Sequence, residues 1–432
     1  MKVAVVGSGI SGASAAAALA GHAQVTLFEA DHRLGGHSHT VDVTLPAADG
    51  TPVTHGVDTG FLVFNPRTYP RLVALFNQLD VPVADADMSF SVQAPGWSGG
   101  EALEWSGHDL STVFAQRSNL LRPRFWGMLS DIVRFNRLCT GLATTGQSDR
   151  LMQPLGEFLD EHRFGPVFRD GYLLPMLGCI WSCPTDQMLL FPVATMVRFC
   201  HNHGLLQVND RPQWRTVAGG SREYVKRLLA PVTDVRLGTP VRQVLRTPHG
   251  VLLSTDQGTE SFDHVVLAAH SDQTLAMLSS ASPSEAAVLK AIRYQPNHAV
   301  LHTDTAMLPS RPAAWAAWNY ERTAATGQKN ARVCLHYLIN KLQPLPFAQP
   351  VIVSLNPARD IRPDTVLARI DYAHPVFDAA AIQAQRHVSA LQGNGGVWYC
   401  GAWTGYGFHE DGLRSGQTVA DRLLASAERL AA

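Results

Sequence analysis

The chain has no run of about 18 apolar residues, so no segment reads as a membrane-spanning helix. It also has no charge excess: 35 Lys and Arg face 36 Asp and Glu, a formal net charge of −1. That balance gives no global field for nucleic acid. Cysteine is sparse and scattered, at Cys139, Cys179, Cys183, Cys200, Cys334 and Cys400. The close pair Cys179 and Cys183 lacks the second pair that a zinc ribbon needs. In a chain of 432 residues these read as reduced thiols of a cytoplasmic protein, not as a disulfide framework. Lys2 and the apolar residues after it do not read as a secretory leader, because Gly7, Gly9 and Gly12 interrupt them. Apolar residues make up 46% of the chain and charged ones only 16%, enough for large cores. The length predicts two or three domains.

The densest signal lies at the start. KVAVV (2–6) is a valine-rich run suited to a buried parallel strand. GSGISG (7–12) follows, then an alanine-rich helical stretch, then QVTLFEA (24–30) as a second strand. This strand, glycine loop, helix and strand unit binds dinucleotides. Gly7 allows the tight turn, Gly9 lets the backbone approach a diphosphate, and Gly12 allows close helix–strand packing. Ile10 and Ser11 open the helix, whose N-terminus favours the negative charge. Glu29 ends the second strand, where a carboxylate accepts from ribose hydroxyls and repels a 2′-phosphate. Beyond Ala30 come Arg33, Gly35, Gly36 and His37; bare amides and a cation there suit a diphosphate.

This second glycine motif resembles that of FAD proteins of the glutathione-reductase-like type, and in particular the flavin amine oxidase and phytoene desaturase superfamily. GGHSHTVDV, NPRTYPRL, WRTVAGGSREYV, NHAVLHTD and GFHEDGLRSG are most similar to bacterial predicted NAD/FAD-binding flavoproteins. Those resemble the N-terminal flavin domain of plant cyclopropane fatty acid synthases. The resemblance implies an α/β fold: a Rossmann-like FAD-binding domain with an interleaved α+β substrate domain. It implies FAD as cofactor, with Thr59, Gly60 and Phe61 beside the flavin ring and Val241 meeting the adenine through its backbone. Gly401 would end the last sheet strand, and Asp411, Gly412 and Leu413 would begin a helix aimed at the flavin edge. The superfamily often has an arginine after the two glycines, where this chain has His37. It usually has an acid after the C-terminal strand glycine, where this chain has Ala402.

The expected FAD-binding domain comprises 1–65, 205–280 and 391–432; the substrate domain, with a helical cap, comprises 66–204 and 281–390. RTYPRLVALFNQLDV (67–81) carries Leu72, Leu75, Phe76 and Leu79 at helical spacing. PHG and DQGT mark hairpin turns in a group of short strands, after which FDHVVLAAH re-enters the parallel sheet. Residues 281–390 alternate like an antiparallel sheet, and 66–204 read as helical. GYLLPMLGCIWSCPTDQMLLFPVATMVRFCHNHGLL (171–206) lines a hydrophobic pocket or forms the cap's core, or both. Residues 114–138 hold Arg117, Arg122, Arg124, Arg134 and Arg137 among large apolar side chains. They are either a cap helix with a solvated arginine face or a peripheral contact on the inner face of a membrane.

His37 and His39, and His201 and His203, stand at i and i+2, which share a face on a strand. No third ligand follows by spacing, so no metal is expected. The association of the similar proteins with fatty-acyl enzymes suggests dehydrogenation of a lipid acyl chain, with hydride passing to flavin. An apolar small-molecule partner is expected and nucleic acid is not. His409, Glu410 and His55 are the candidate bases. Amine oxidation, flavin-dependent isomerisation and lipid escort are the competing functions.

Overall fold

The computed structural model describes residues 1–97, 102–146, 151–181, 184–207, 212–322 and 333–431. Strand Lys2–Val6 lies at the centre of a five-stranded parallel sheet. Its order is 397–399, 264–267, 2–6, 24–28, 234–236. Val3, Ala4 and Val5 are fully buried, as expected for a strand covered on both faces. Strand His264–Leu267 enters beside it in parallel. A three-stranded antiparallel sheet precedes it, turning at 248–249 and 256–257 where PHG and DQGT stand.

Helix Ile10–Ala20 crosses the final helix, His409–Ala431, at close range. The cause is a pair of glycines one turn apart. A Cβ on Gly416 would lie 2.1 Å from the Ser11 carbonyl oxygen, and one on Gly412 would lie 2.7 Å from Ile10 Cγ2. These two positions exist for helix packing.

The second large sheet has seven strands, ordered 366–376, 293–302, 352–355, 334–338, 318–321, 90–94, 103–106. All neighbours are antiparallel except 318–321 against 90–94. Two corrections to the sequence reading follow. Residues 66–204 are not uniformly helical, since 83–86, 90–94 and 103–106 are strands. In ARVCLHYLINKLQ the strand ends at Leu338 and a short helix, Ile339–Leu342, follows. Strand 90–94 pairs locally with 103–106 but joins the large sheet through 318–321, more than two hundred positions away.

The amphipathic helix forms over Pro70–Gln78, with Leu72, Leu75 and Phe76 buried and Leu79 capping it. The cap is led by the 22-residue helix Pro123–Thr144. It buries its own aromatic core, in which Phe135, Phe164 and Phe168 pack edge to face or tilted. The apolar segment near 171–206 takes both roles open to it: Leu173, Leu177 and Met196 are core, while Cys179 and Ile180 face a cavity. Cys183 lies outside the described residues; the other five cysteines are free and buried. Among the described residues no helix is long and apolar enough to cross a membrane.

Candidate active site

One cavity of about 700 Å³ runs between the two sheets. At one end the glycine loop meets Glu29, Ala30 and Val241. Gly12 supports this end from outside the lining. A Cβ there would sit 1.8 Å from the Gly7 carbonyl oxygen, so only glycine lets helix and strand close the loop. Ser8, missed in the sequence, ties the end together. Its amide and hydroxyl both donate to Glu29 Oε2, at 2.8 and 2.5 Å, and its Oγ accepts from the Gly35 amide at 3.0 Å. The x of a GxG motif carries no signal in one sequence, so nothing marked Ser8.

The middle of the cavity is lined by Gly36, His37, Gly60, Phe61, Ala402 and His409. The strand before Gly60 stops at Asp58, which leaves Gly60 in the loop that follows. A Cβ on Gly60 would lie 2.2 Å from the His37 carbonyl oxygen, and the Phe61 amide donates to that same oxygen at 2.7 Å. Two loops far apart in sequence are thereby clamped together. Asp58 is buried just behind them, accepting from Thr40, Ser221 and Gln343. Burial pushes its carboxyl up to about 6.

His409 lies flat on Phe61, ring centroids 3.7 Å apart and planes at 19°. Its Nε2 meets Ser38 Oγ at 2.9 Å and Tyr224 Oη at 3.1 Å. Although His409 opens onto the cavity, enclosure by protein pushes its pKa down to about 3. An effective general base titrates near the working pH. His409 is therefore held neutral at neutral pH, and of the three candidate bases it is the one that lines the cavity. Ser38 and Tyr224, on the loop and the helix Arg222–Leu228, were not singled out from sequence.

The other two candidate bases do not line the cavity. Glu410 spends both carboxylate oxygens on the backbone amides of Arg71 and Leu72, at 3.0 Å each, and so caps the helix beginning at Pro70. Glu410→Ala is expected to cost about 1–2 kcal/mol of stability, read as a lower urea midpoint, with turnover near that of the parent. His55 stands on strand Pro52–Asp58, away from the cavity lining, with Nδ1 at 2.9 Å from the Gly56 carbonyl.

Of the remaining sequence-selected residues, Gly7, Gly9, Ile10, Ser11, Gly35 and Gly401 line the cavity. Arg33, Thr59, Asp411, Gly412 and Leu413 do not. Arg33 turns back to donate to the Gly36 carbonyl at 2.8 Å and pairs with Asp31. Thr59 bonds the His39 carbonyl and Tyr372. Asp411 accepts from the amides of Tyr406 and Phe408, folding the turn before the final helix. The Gly412 amide is taken by the Phe408 carbonyl and Leu413 is fully buried, so neither offers a free amide to a ligand. The first residue of that helix, His409, with Gly407 and Phe408 before it, is what reaches the cavity.

Three further histidines face the same space. His37 stacks on Tyr372 at 5.0 Å and sits 5.3 Å from His374 and 6.3 Å from His270. Burial lowers all three, His374 to about 4. His201 and His203 sit at the end of helix Val193–Asn202, where i and i+2 do not share a face, so they make no ligand pair. Elsewhere Glu321, Cys334 and His336 bring ligand-type atoms within 4.8 Å of one another. Arg359 already donates to both Glu321 oxygens, and a cation placed there would face that guanidinium.

The far end of the cavity is apolar: Met88, Cys179, Ile180, Phe199, Leu205 and Trp318. Phe199 and Phe408 stack at 4.9 Å, and Trp318 meets Tyr337 edge-on at 4.9 Å. Burial raises the Cys179 thiol well above its usual range and lowers His203 to about 4. Both are uncharged at neutral pH. Among the described residues lining the cavity, Glu29 is the one carboxylate, and it lies at the opposite end.

Residues 10–303 match the family of flavin containing amine oxidoreductases. A carotenoid phi-ring synthase of Streptomyces griseus is 30% identical over 302 residues, covering 65% of this chain and 54% of that protein. The chain thus spans about half the length of that curated relative. Two solved structures share the fold over nearly their full lengths. The CLA-producing fatty acid isomerase from P. acnes superposes with a TM-score of 0.66 at 15% identity, covering 97% of this chain and 98% of that one. Cyclohexylamine oxidase from Brevibacterium oxydans IH-35A gives 0.65 at 16% identity, covering 99% of both.

Proposed function

Because the chain belongs to the flavin containing amine oxidoreductase family and is an FAD-dependent oxidoreductase, we propose that it takes its hydride from the acyl chain of a lipid. The observation that carries this reading is the apolar end of the cavity. An amine substrate arrives as a cation, and among the described residues no carboxylate lines that end to receive it. An acyl chain needs only a dry apolar wall, and Phe199, Phe408, Trp318 and Ile180 provide one.

The residues present fit FAD. The loop Gly7–Ser11 and the start of helix Ile10–Ala20 present amides to a diphosphate, and the absence of a Cβ at Gly9 leaves room for it. Glu29 keeps lone pairs free for ribose hydroxyls beside its bonds to Ser8 and Asp31. When bound, FAD supplies a two-electron hydride acceptor. The chain itself positions and excludes water. Phe61 and His409 form a stacked floor, held by Ser38 and Tyr224, and the positive end of the final helix favours negative charge beside it. The aromatic wall keeps the reacting carbon away from solvent.

Filling the wall tests the reading. Ile180→Trp is expected to lower kcat/KM for long acyl chains by about 10- to 100-fold while leaving flavin content unchanged. Equal activity on long chains in that variant would remove the cavity's far end as the substrate site.

A further inference from the structure

Residues 110–126 form a corner on which large apolar side chains stand in solvent beside arginines. Leu110 is 80% exposed and Leu121 88%, with Leu120 at 48% and Trp126 at 49%. These residues adjoin one another. Trp126 Nε1 donates to the Leu120 carbonyl at 3.0 Å, the Phe114 and Trp126 rings lie 5.3 Å apart, and the Phe114 amide donates to the Leu110 carbonyl at 3.2 Å. Phe125, fully buried under Trp105 and Phe114, pins the corner from below. The exposure therefore belongs to a packed surface.

Three cations share the corner. Arg117 and Arg124 are exposed and make no hydrogen bond or ion pair with the described residues, while Arg122 donates to Asn119 at 3.0 Å. Of the adjoining described acids, Asp109 caps the helix Leu110–Val113 by accepting from Ser111 and Thr112, and Glu104 is held by Arg311. Asp131, further along, is held by Arg134. A chain with formal net charge −1 thus carries a local positive excess where its apolar side chains protrude.

We propose that this corner is a docking surface for an anionic lipid bilayer, with Leu110, Leu120, Leu121 and Trp126 entering the interfacial layer and Arg117, Arg122 and Arg124 meeting lipid phosphates. Tryptophan and leucine flanked by arginine suit that layer, where one side is apolar and the other charged. Charge decides against a second copy as occupant: a two-fold contact would set Arg117 and Arg124 of both copies against each other. The inference stands on this surface alone and does not rest on the acyl-chain reading of the cavity.

The test uses the full-length flavoprotein sedimented with vesicles of pure phosphatidylcholine, or of equal parts phosphatidylcholine and phosphatidylglycerol. The anionic vesicles are expected to retain about tenfold more protein at low salt, an excess that falls as salt rises. Leu110→Asp with Leu121→Asp should lower retention about tenfold, and Arg117→Glu with Arg124→Glu should abolish the anionic preference. All four side chains are exposed, and unchanged melting and flavin content would show that the variants fold. Absence of parent binding to anionic vesicles, or binding indifferent to both variants, would overturn the proposal. So would a dimer seen by light scattering that Leu121→Asp dissolves without any vesicle binding by the parent. In every case the outcome leaves activity on dispersed substrate as a separate measurement.

Discussion

Gly12→Ala is expected to yield a protein purified without flavin. The added Cβ would lie 1.8 Å from the Gly7 carbonyl oxygen and 2.9 Å from Ala268 Cβ. Overpacking costs about 1–3 kcal/mol where side chains can yield. Here the obstacle is the backbone of the cofactor loop, which must move to admit the methyl group. The displaced loop no longer presents its amides to a diphosphate, and the strand against which it turns is the central one of the parallel sheet. Gly9→Ala separates the two consequences. Its Cβ would meet nothing within 4 Å, so the cofactor-free protein should melt at the parent temperature. Gly9 lines the cavity, however, and the methyl group would stand where a diphosphate must come close. FAD affinity should fall by about 100-fold, some 2.7 kcal/mol, in an otherwise sound protein. Fluorescence titration of apoprotein with FAD, alongside melting curves, measures both.

The second large effect is a loss of stability between about pH 6.5 and 4. His302 is fully buried in the seven-stranded sheet, and burial pushes its pKa down to about 4. Its Nδ1 accepts from the Asp304 amide at 3.0 Å, so that nitrogen carries no proton. The Nε2–H then donates to Ser354 Oγ at 2.7 Å, and the Ser354 hydroxyl passes on to His336 Nδ1 at 2.6 Å. His336 Nε2 completes the chain to Glu321 at 2.9 Å. Each bond direction depends on the first, and a proton on His302 Nδ1 would oppose the Asp304 amide.

The sign of the pH effect follows from linkage. A histidine with a folded pKa below its unfolded 6.5 contributes stability that is full above 6.5 and lost as pH falls through about 4. His203 and His374, also lowered to about 4, act in the same sense. Asp58, raised to about 6, acts oppositely: its contribution is present below the unfolded value of 3.8 and lost as pH rises through about 6. Burial also lowers His37, His39, His270 and His409 and raises Asp170 and Asp411. The lowered histidines outnumber the raised aspartates, which leaves a net loss on acidification, with a ceiling of about 1.4 kcal/mol per histidine per pH unit. Urea midpoints measured from pH 7 to 4 should fall steeply. His302→Asn keeps an acceptor for the Asp304 amide but cannot titrate. It should start about 1 kcal/mol lower at pH 7 and decline less steeply. Parallel curves for parent and variant would remove His302 from the account.

The parallel core was legible because its strands are short apolar runs joined by glycines at fixed offsets, and the three-stranded sheet because turn residues announce each hairpin. The site was legible in its backbone parts, where glycine is the signal. It was less so where a side chain acts at long range. Glu410 looked like an acid beside a histidine, yet it serves a helix start some 340 positions earlier. Ser8, Ser38 and Tyr224 are ordinary residues whose roles exist only once distant loops meet. Gly412 was read as an opening toward flavin and is instead a contact between two helices. Strands 90–94 and 103–106 stood in a segment read as helical, and only pairing with the strand at 318–321 makes them part of the large sheet.

The most direct test of an FAD enzyme working on an acyl chain is anaerobic reduction of the bound flavin. The oxidised absorption band of the purified protein is followed as fatty-acyl lipids or primary amines are added without oxygen. Bleaching by an acyl lipid and none by amines is the expected result, with mass spectrometry finding product two hydrogens lighter than the lipid supplied. Bleaching by amines alone, or conversion of the lipid to a product of unchanged mass with the flavin oxidised throughout, would contradict it.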